Sequence, residues 1–263
     1  MAAKKEIAPL PFFNLNDGKW FTQEELIENK IFDSFYFRAS SVGKLMASPE
    51  KNEIPTGAMT ELEKMAGRII YNTKPQLSNF AIQKGLTMED VSIDLYCEVD
   101  NTFATKNKVR MYYWHPEHGV LLTGECDLDD YCKIRNLKIT IDVKTAYSTE
   151  TMPVFLKCGD RKGYEWQLCS YNVLYGTDLS KLAYCLPSTP DHLIKKGEPE
   201  SWHLVDHIDP KFRVSIIELN RDSQMINQLM NRLAICKQKL SELVLSRGYV
   251  VKNECEYLEQ EEE

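Results

Sequence analysis

NLKITIDVKT, residues 136–145, alternates apolar and polar side chains from Leu137 onward. It therefore reads as a β-strand with Leu137, Ile139, Ile141 and Val143 on one face and Lys138, Thr140, Asp142 and Lys144 on the other. Upstream, GVLLTGECDL (119–128) alternates in the same way and places Glu125 and Asp127 together, opposite Val120, Leu122 and Cys126. If the two runs pair through the loop DDYCKIRN (129–136), Asp127, Asp142 and Lys144 converge. An exposed salt-bridge ladder across a hairpin would give the same pattern.

Outward from this pair, VRMYYW (109–114) is a further strand, and the runs 181–187, 201–206 and 212–219 are strand-like. Helical signals surround them. Thr22 with Glu25 forms a capping box, a second helical start follows Ser40 and Ser41, and 57–72 and 78–96 carry apolar residues at helical spacing. The N-terminal third is thus expected to be mainly helical. A helix over 163–175 stops at Gly176, and a long one spans about 221–246. Together these give an α/β fold with one domain and additions.

The chain has 263 residues, 43% hydrophobic and 27% charged, which fits a globular protein and excludes a disordered or fibrous one. No apolar run approaches a membrane span, and the N-terminal MAAKKEIAPLPFF is too short and proline-broken for a signal peptide. Eight cysteines, at 97, 126, 132, 158, 169, 185, 236 and 255, are scattered singly, as reduced thiols of a cytosolic protein would be. The formal charge of −7 is misleading, because residues 254–263 hold six glutamates and no lysine or arginine. Without that tail the chain is close to neutral and can still present a basic groove.

Three polar side chains occupy apolar stripes. Ile82, Leu86, Glu89, Ile93 and Tyr96 share a face of the 78–96 helix, so Glu89 lies mid-stripe. A carboxylate there needs a partner, or it sits at the stripe's edge and reaches water. In GYEWQLCSYNVLYG (163–176), Gln167 and Tyr171 stand one turn apart on the same face, either as a satisfied core amide with its neighbour or as part of a site.

Taken in order, Glu89 in KGLTMEDVSIDLY, Asp127 in TGECD, Asp142 and Lys144 in IDVKT, and Gln167 and Tyr171 in WQLCSY resemble the PD-(D/E)XK nucleases of the RecB-like branch. The pattern is most similar to lambda exonuclease and the YqaJ-type viral recombination exonucleases. It covers residues 84–176, about a third of the chain, and lacks the proline that names the superfamily. Glu125 is a second acidic candidate beside Asp127.

The resemblance implies a restriction-endonuclease-like core: a central mixed β-sheet flanked by helices, with a helical N-terminal part and a long C-terminal helix. Residues 1–253 would form a single nuclease domain, and 254–263 a disordered acidic tail. The implied activity is metal-dependent hydrolysis of linear double-stranded DNA from its ends, 5′ to 3′, in phage-type recombination or DNA repair. Mg²⁺ is the expected cofactor, with Mn²⁺ able to substitute, because an oxygen-only donor set disfavours zinc. Asp127, Asp142 and the carbonyl of Val143 would bind it, and Glu89 would hold a second metal or its water. Lys144 would orient the attacking water, with Gln167 and Tyr171 in support. Candidate DNA contacts are Arg38, Ser40 and Ser41, where an ordinary serine N-cap is the competing explanation, and Lys157, Arg161 and Lys162. The resemblance further implies a homo-trimer and a single-strand annealing protein as partner.

Competing readings are an endonuclease of the same fold, a binding or scaffolding module without catalysis, and a CRISPR-adaptation nuclease. The last needs clustered cysteines for an iron–sulfur centre, and no C-x-x-C is present. A zinc site at His115 and His118, or at His203 and His207, is the remaining alternative.

Overall fold

The structure is a computed structural model, and it describes residues 14–28, 35–74, 79–132, 136–156 and 162–249. Lys157, Arg161, Cys158, Cys255 and the acidic tail lie outside the described residues. In chain order the elements are β1 (Lys19–Thr22), α1 (Gln23–Glu28), β2 (Tyr36–Arg38), α2 (Ala39–Val42), α3 (Thr56–Tyr71), α4 (Phe80–Thr87) and α5 (Glu89–Asp100). There follow β3 (Thr105–Lys106), β4 (Met111–His115), β5 (Val120–Gly124), β6 (Leu128–Cys132), β7 (Leu137–Thr145), α6 (Lys162–Leu174), β8 (Leu179–Cys185), β9 (Val214–Asn220) and α7 (Ser223–Ser246).

The strands form two mixed sheets, ordered β1-β4-β5-β2 and β3-β6-β7-β8-β9. In the second, β7 runs parallel to β8 and antiparallel to β6, which places β7 at the centre. Its two faces behave as the alternation requires. Ile139, Ile141 and Val143 pack with Ile93, Leu95 and Tyr96 of α5. Each such buried aliphatic side chain contributes about 1.5–3 kcal/mol. The opposite face turns toward α6, and there Thr140 shares a hydroxyl contact with Ser180 at 2.6 Å.

Every residue from Trp166 to Leu174 is buried, so the polar side chains of α6 must find partners inside the protein. Ser170 donates to the carbonyl of Trp166, and Asn172 Oδ1 accepts from Thr177 and Ser180. The main core joins α6 to α3, α7 and the first sheet through Leu62, Leu122, Val173, Leu174, Leu229 and Leu233, among others. At the start of α6 the segment after α2 comes so close that a Cβ on Gly43 would lie 2.5 Å from the Gly163 carbonyl oxygen. The lack of a side chain at Gly43 permits that approach.

The structure corrects several expectations. The 78–96 helix is two helices broken at Met88, whose N–H bonds to the Lys84 carbonyl and ends α4. The acidic pair Glu89–Asp90 then opens α5, where negative charge suits the helix N-terminus. The expected stripe is split accordingly, and Leu86 is exposed. The strands carrying GVLLTG and LDDYC belong to different sheets, so Asp127 sits in the bend between them. Residues 201–206 form a short 3₁₀ turn and loop; their alternation arises because His203 and Val205 are buried while their neighbours face out. The N-terminal third also contributes two strands to the first sheet. Its capping box is formed: Thr22 N–H donates to Glu25 Oε2 at 2.8 Å, and Glu25 N–H donates to Thr22 Oγ1 at 3.3 Å.

Candidate active site

β7 carries Asp142 and Lys144 on its α6-facing side. Asp142 is buried, and Oδ1 accepts from Gln167 Nε2 at 2.9 Å, with the Tyr171 hydroxyl at 3.3 Å. Gln167 Nε2 also donates to the Tyr171 oxygen at 2.9 Å, while the Tyr171 hydroxyl lies 3.0 Å from the Glu125 carbonyl. The single phenolic proton is thus directed to Glu125 or Asp142. Helical spacing in α6 produces this pair, since residues four apart meet on one face.

The second oxygen of Asp142, Oδ2, is buried and makes no hydrogen bond among the described residues. Its close neighbour is Lys144 Nζ at 2.6 Å, in an ion pair. Lys144 also lies 5.7 Å from the ring centre of Tyr164, which meets Tyr184 edge-on.

Asp127 approaches from the bend after β5. Its Oδ2 accepts the backbone N–H of Val143 at 2.5 Å. A strand residue's N–H and C=O point to the same side, so the Val143 carbonyl faces the same gap at the edge of β7. Burial, then the neighbouring Asp142 charge, push the Asp127 carboxyl up to about 7 against the pull of Lys144 and the Val143 N–H. For Lys144, burial favours the neutral amine, but the Asp142 and Asp127 charges outweigh it and hold the pKa above its ordinary value. Burial, followed by Asp142, also raises the Tyr171 hydroxyl well above its usual range, so it remains a protonated donor.

Asp127, Asp142, Lys144, Gln167 and Tyr171 therefore come together. Glu89 is placed less tightly: it opens α5 close enough for its charge to raise Asp127, but its carboxylate is held by Lys106 at 2.8 Å. Glu125 is exposed and turned toward Arg110 at 3.7 Å, so its side chain is not part of the cluster. Among the described residues no three His, Cys, Asp or Glu side chains are gathered as a ready-made metal cage. The donors that fit a hard cation are two carboxylates and one backbone carbonyl, with Asp142 Oδ2 buried and short of hydrogen bonds.

Arg38 ends β2, paired with Thr123, and its guanidinium lies 5.9 Å from the Tyr36 ring centre. Ser40 and Ser41 fall inside the short α2 instead of preceding it. Ser41 donates to the Arg38 carbonyl, whereas Ser40 is exposed. This segment lies beside the cluster: a Cβ on Gly124 would meet Ala39 at 2.8 Å and Tyr171 at 3.2 Å. Lys162 opens α6. His115 is buried and stacks on His118, while buried His203 contacts Thr189 and Glu198 and His207 is exposed, so neither histidine pair is arranged as a zinc site. Tyr164 shares the helix face of Gln167 and Tyr171 by its spacing in the sequence, whereas Lys106 was not legible as a site neighbour, because it stands in no local motif with Glu89.

No protein-family model matches the sequence, and no curated protein matches it. Solved structures do. A phage-related exonuclease from Haemophilus somnus superposes with a TM-score of 0.70 at 22% identity, covering 81% of this chain and 96% of that one. An alkaline exonuclease from Laribacter hongkongensis gives 0.55 at 14% identity over 86% and 97% of the two chains, and its complex with dAMP gives 0.55 at 15%. The chain has the fold of these exonucleases. Among the described residues no helix is long and apolar enough to cross a membrane.

Proposed function

We propose that the protein is a Mg²⁺-dependent deoxyribonuclease that degrades linear double-stranded DNA from its ends, 5′ to 3′, in phage-type recombination or repair. The observation that carries this reading is the convergence of Asp127, Asp142 and Lys144 at one edge of β7, backed by Gln167 and Tyr171. The exonuclease fold and the dAMP complex of the Laribacter enzyme support it.

Asp127, Asp142 and the Val143 carbonyl would hold the cation, with Glu89 at a greater remove. Mg²⁺ or Mn²⁺ would supply charge stabilisation at phosphorus and the leaving 3′ oxygen and would lower the pKa of a water. The remaining work falls to the chain's own groups. Gln167 and Tyr171 fix Asp142 Oδ1, which would leave Oδ2, beside Lys144, to bind the cation. The Lys144 ammonium would orient a water and offset negative charge on the phosphate. Arg38 and Ser40, which flank the Ala39 that packs against Gly124, would contact the DNA backbone, with Lys157, Arg161 and Lys162 as further candidates.

The test is incubation of end-labelled linear duplex and closed circular duplex with Mg²⁺. Shortening of the linear DNA from its 5′ ends, with the circle intact, is expected. Cutting of the circle would make the enzyme an endonuclease. No cleavage of either substrate would leave a DNA-binding or scaffolding protein on a nuclease fold.

A further inference from the structure

The bend Gly124–Asp127 leaves one sheet and enters the other. Strand pairing between β4 and β5 ends at Gly124, and that between β6 and β7 begins at Leu128. Buried backbone groups outside a ladder still need partners. Here the partners come from distant parts of the sequence: the Asn107 and Tyr175 side chains at Cys126, the Asn107 main chain at Asp127 and Tyr171 at Glu125.

Asn107 lies just after β3. Its backbone N–H donates to the Asp127 carbonyl at 2.8 Å, and its Nδ2 lies 3.0 Å from the Cys126 carbonyl. Tyr175, one residue past α6, accepts the Cys126 N–H at 3.3 Å and is 3.4 Å from the Gly124 carbonyl. The two side chains also meet each other: Asn107 Nδ2 donates to the Tyr175 oxygen at 3.0 Å. Tyr175 donates in turn to the Val109 carbonyl at 2.8 Å, and Asn107 Oδ1 accepts the Val109 N–H at 3.1 Å. The Asn107 and Tyr175 side chains thus hold both main-chain groups of Cys126, the Asn107 N–H holds the Asp127 carbonyl, and Tyr171 contacts Glu125.

The Asp127 carboxylate makes one hydrogen bond among the described residues, to the Val143 N–H. Its position therefore depends on where the bend puts its Cα. We propose that Asn107 and Tyr175 are positioning residues for Asp127: a clamp on the backbone of the bend that sets the separation of the two aspartates and so the affinity of the site for a divalent cation. The proposal rests on the metal-site reading given above. Neither side chain touches the cation or the substrate. Removing an outer partner of a metal ligand typically weakens metal binding about 10- to 100-fold, and a misplaced ligand bend acts in the same way.

The test uses the full chain as wild type, Asn107→Ala, Tyr175→Phe and Asp127→Ala, titrated calorimetrically with Mn²⁺ alone, with melting temperatures recorded in parallel. Tyr175→Phe removes only the hydroxyl and preserves the ring. Wild type should take up Mn²⁺ and Asp127→Ala should lose that uptake. Folded Asn107→Ala and Tyr175→Phe should each bind about 10- to 100-fold more weakly. In DNA cleavage, their loss should be recovered in part by raising the metal concentration, with a smaller change in the KM for DNA. Wild-type Mn²⁺ affinity in both folded variants, whatever their melting temperatures, would overturn the clamp while leaving the metal site standing. No Mn²⁺ uptake by wild type would remove the metal-site reading and the clamp with it. If Asn107→Ala fails to fold, Tyr175→Phe decides.

Discussion

Gln167 Nε2 donates to Asp142 Oδ1 at 2.9 Å, tying the centre of α6 to the centre of β7. Both groups are buried, so the amide hydrogen bond replaces water that the carboxylate has lost. A hydrogen bond to a charged group contributes about 1.5–3 kcal/mol. Gln167→Leu removes it at similar volume. Cleavage efficiency should fall roughly tenfold or more, in steady-state assays on linear duplex. Unchanged kcat/KM would show that Asp142 is oriented by other groups.

Lys144 lies against Asp142 Oδ2, the oxygen proposed to bind a cation. Lys144→Met keeps much of the side-chain volume and deletes the charge. It should separate binding from chemistry: cleavage falls by about 100-fold or more, as for loss of a positioned acid–base group, while Mn²⁺ uptake is retained or tightened. Loss of Mn²⁺ uptake in this variant would assign Lys144 a structural role.

Lys106 holds Glu89 and Asp90 at 2.8 and 3.0 Å. The lysine is half exposed, so the pair adds little stability, and Lys106→Ala should shift the melting temperature only slightly. Its ammonium nevertheless repels a divalent ion arriving near Glu89. Lys106→Ala should therefore bind Mn²⁺ somewhat more tightly at low salt, with the difference shrinking as ionic strength rises. Weaker binding would mean that Lys106 serves to aim Glu89 at the cation.

Lys84 is fully buried, with Nζ donating to the Tyr147 and Pro187 carbonyls at 3.0 and 2.8 Å. Burial lowers its pKa to about 8 from 10.5. Below about pH 8 the amine is charged in both folded and unfolded states, and the cost of burying the charge is present in full. Between about 8 and 10.5 the unfolded chain binds more protons, so this group's contribution to stability rises with pH, by roughly 3 kcal/mol at most. Comparing wild type with Lys84→Met in urea from pH 7 to 10.5 isolates it. Wild type should gain on the variant over that window, and a constant difference would contradict the burial of a charged amine.

Much of the site could be read from sequence because its strongest parts are local. Asp142 and Lys144 share a strand face by period two, and Gln167 and Tyr171 share a helix face by period four. Asn107, Lys106 and Tyr175 were invisible because their partners lie 16 to 68 residues away, and only the folded topology brings them close. The 78–96 segment misled because its apolar spacing continues through Met88, while the break is set by local signals: Gly85 and Thr87 are weak helix formers, and the acids at 89 and 90 favour a new N-terminus. The strand bearing Asp127 was misassigned for a similar reason. Alternation runs unbroken across Glu125–Asp127, yet the chain changes sheets there, and burial on both sides of β5 hides the switch.

The central claim is that Asp127 and Asp142 bind one divalent cation at the edge of β7. Calorimetric titration of wild type, Asp127→Ala and Asp142→Asn with Mn²⁺ addresses it most directly. The account predicts saturable uptake by wild type that both substitutions abolish while the fold persists by circular dichroism. Uptake of equal affinity in all three proteins would contradict it.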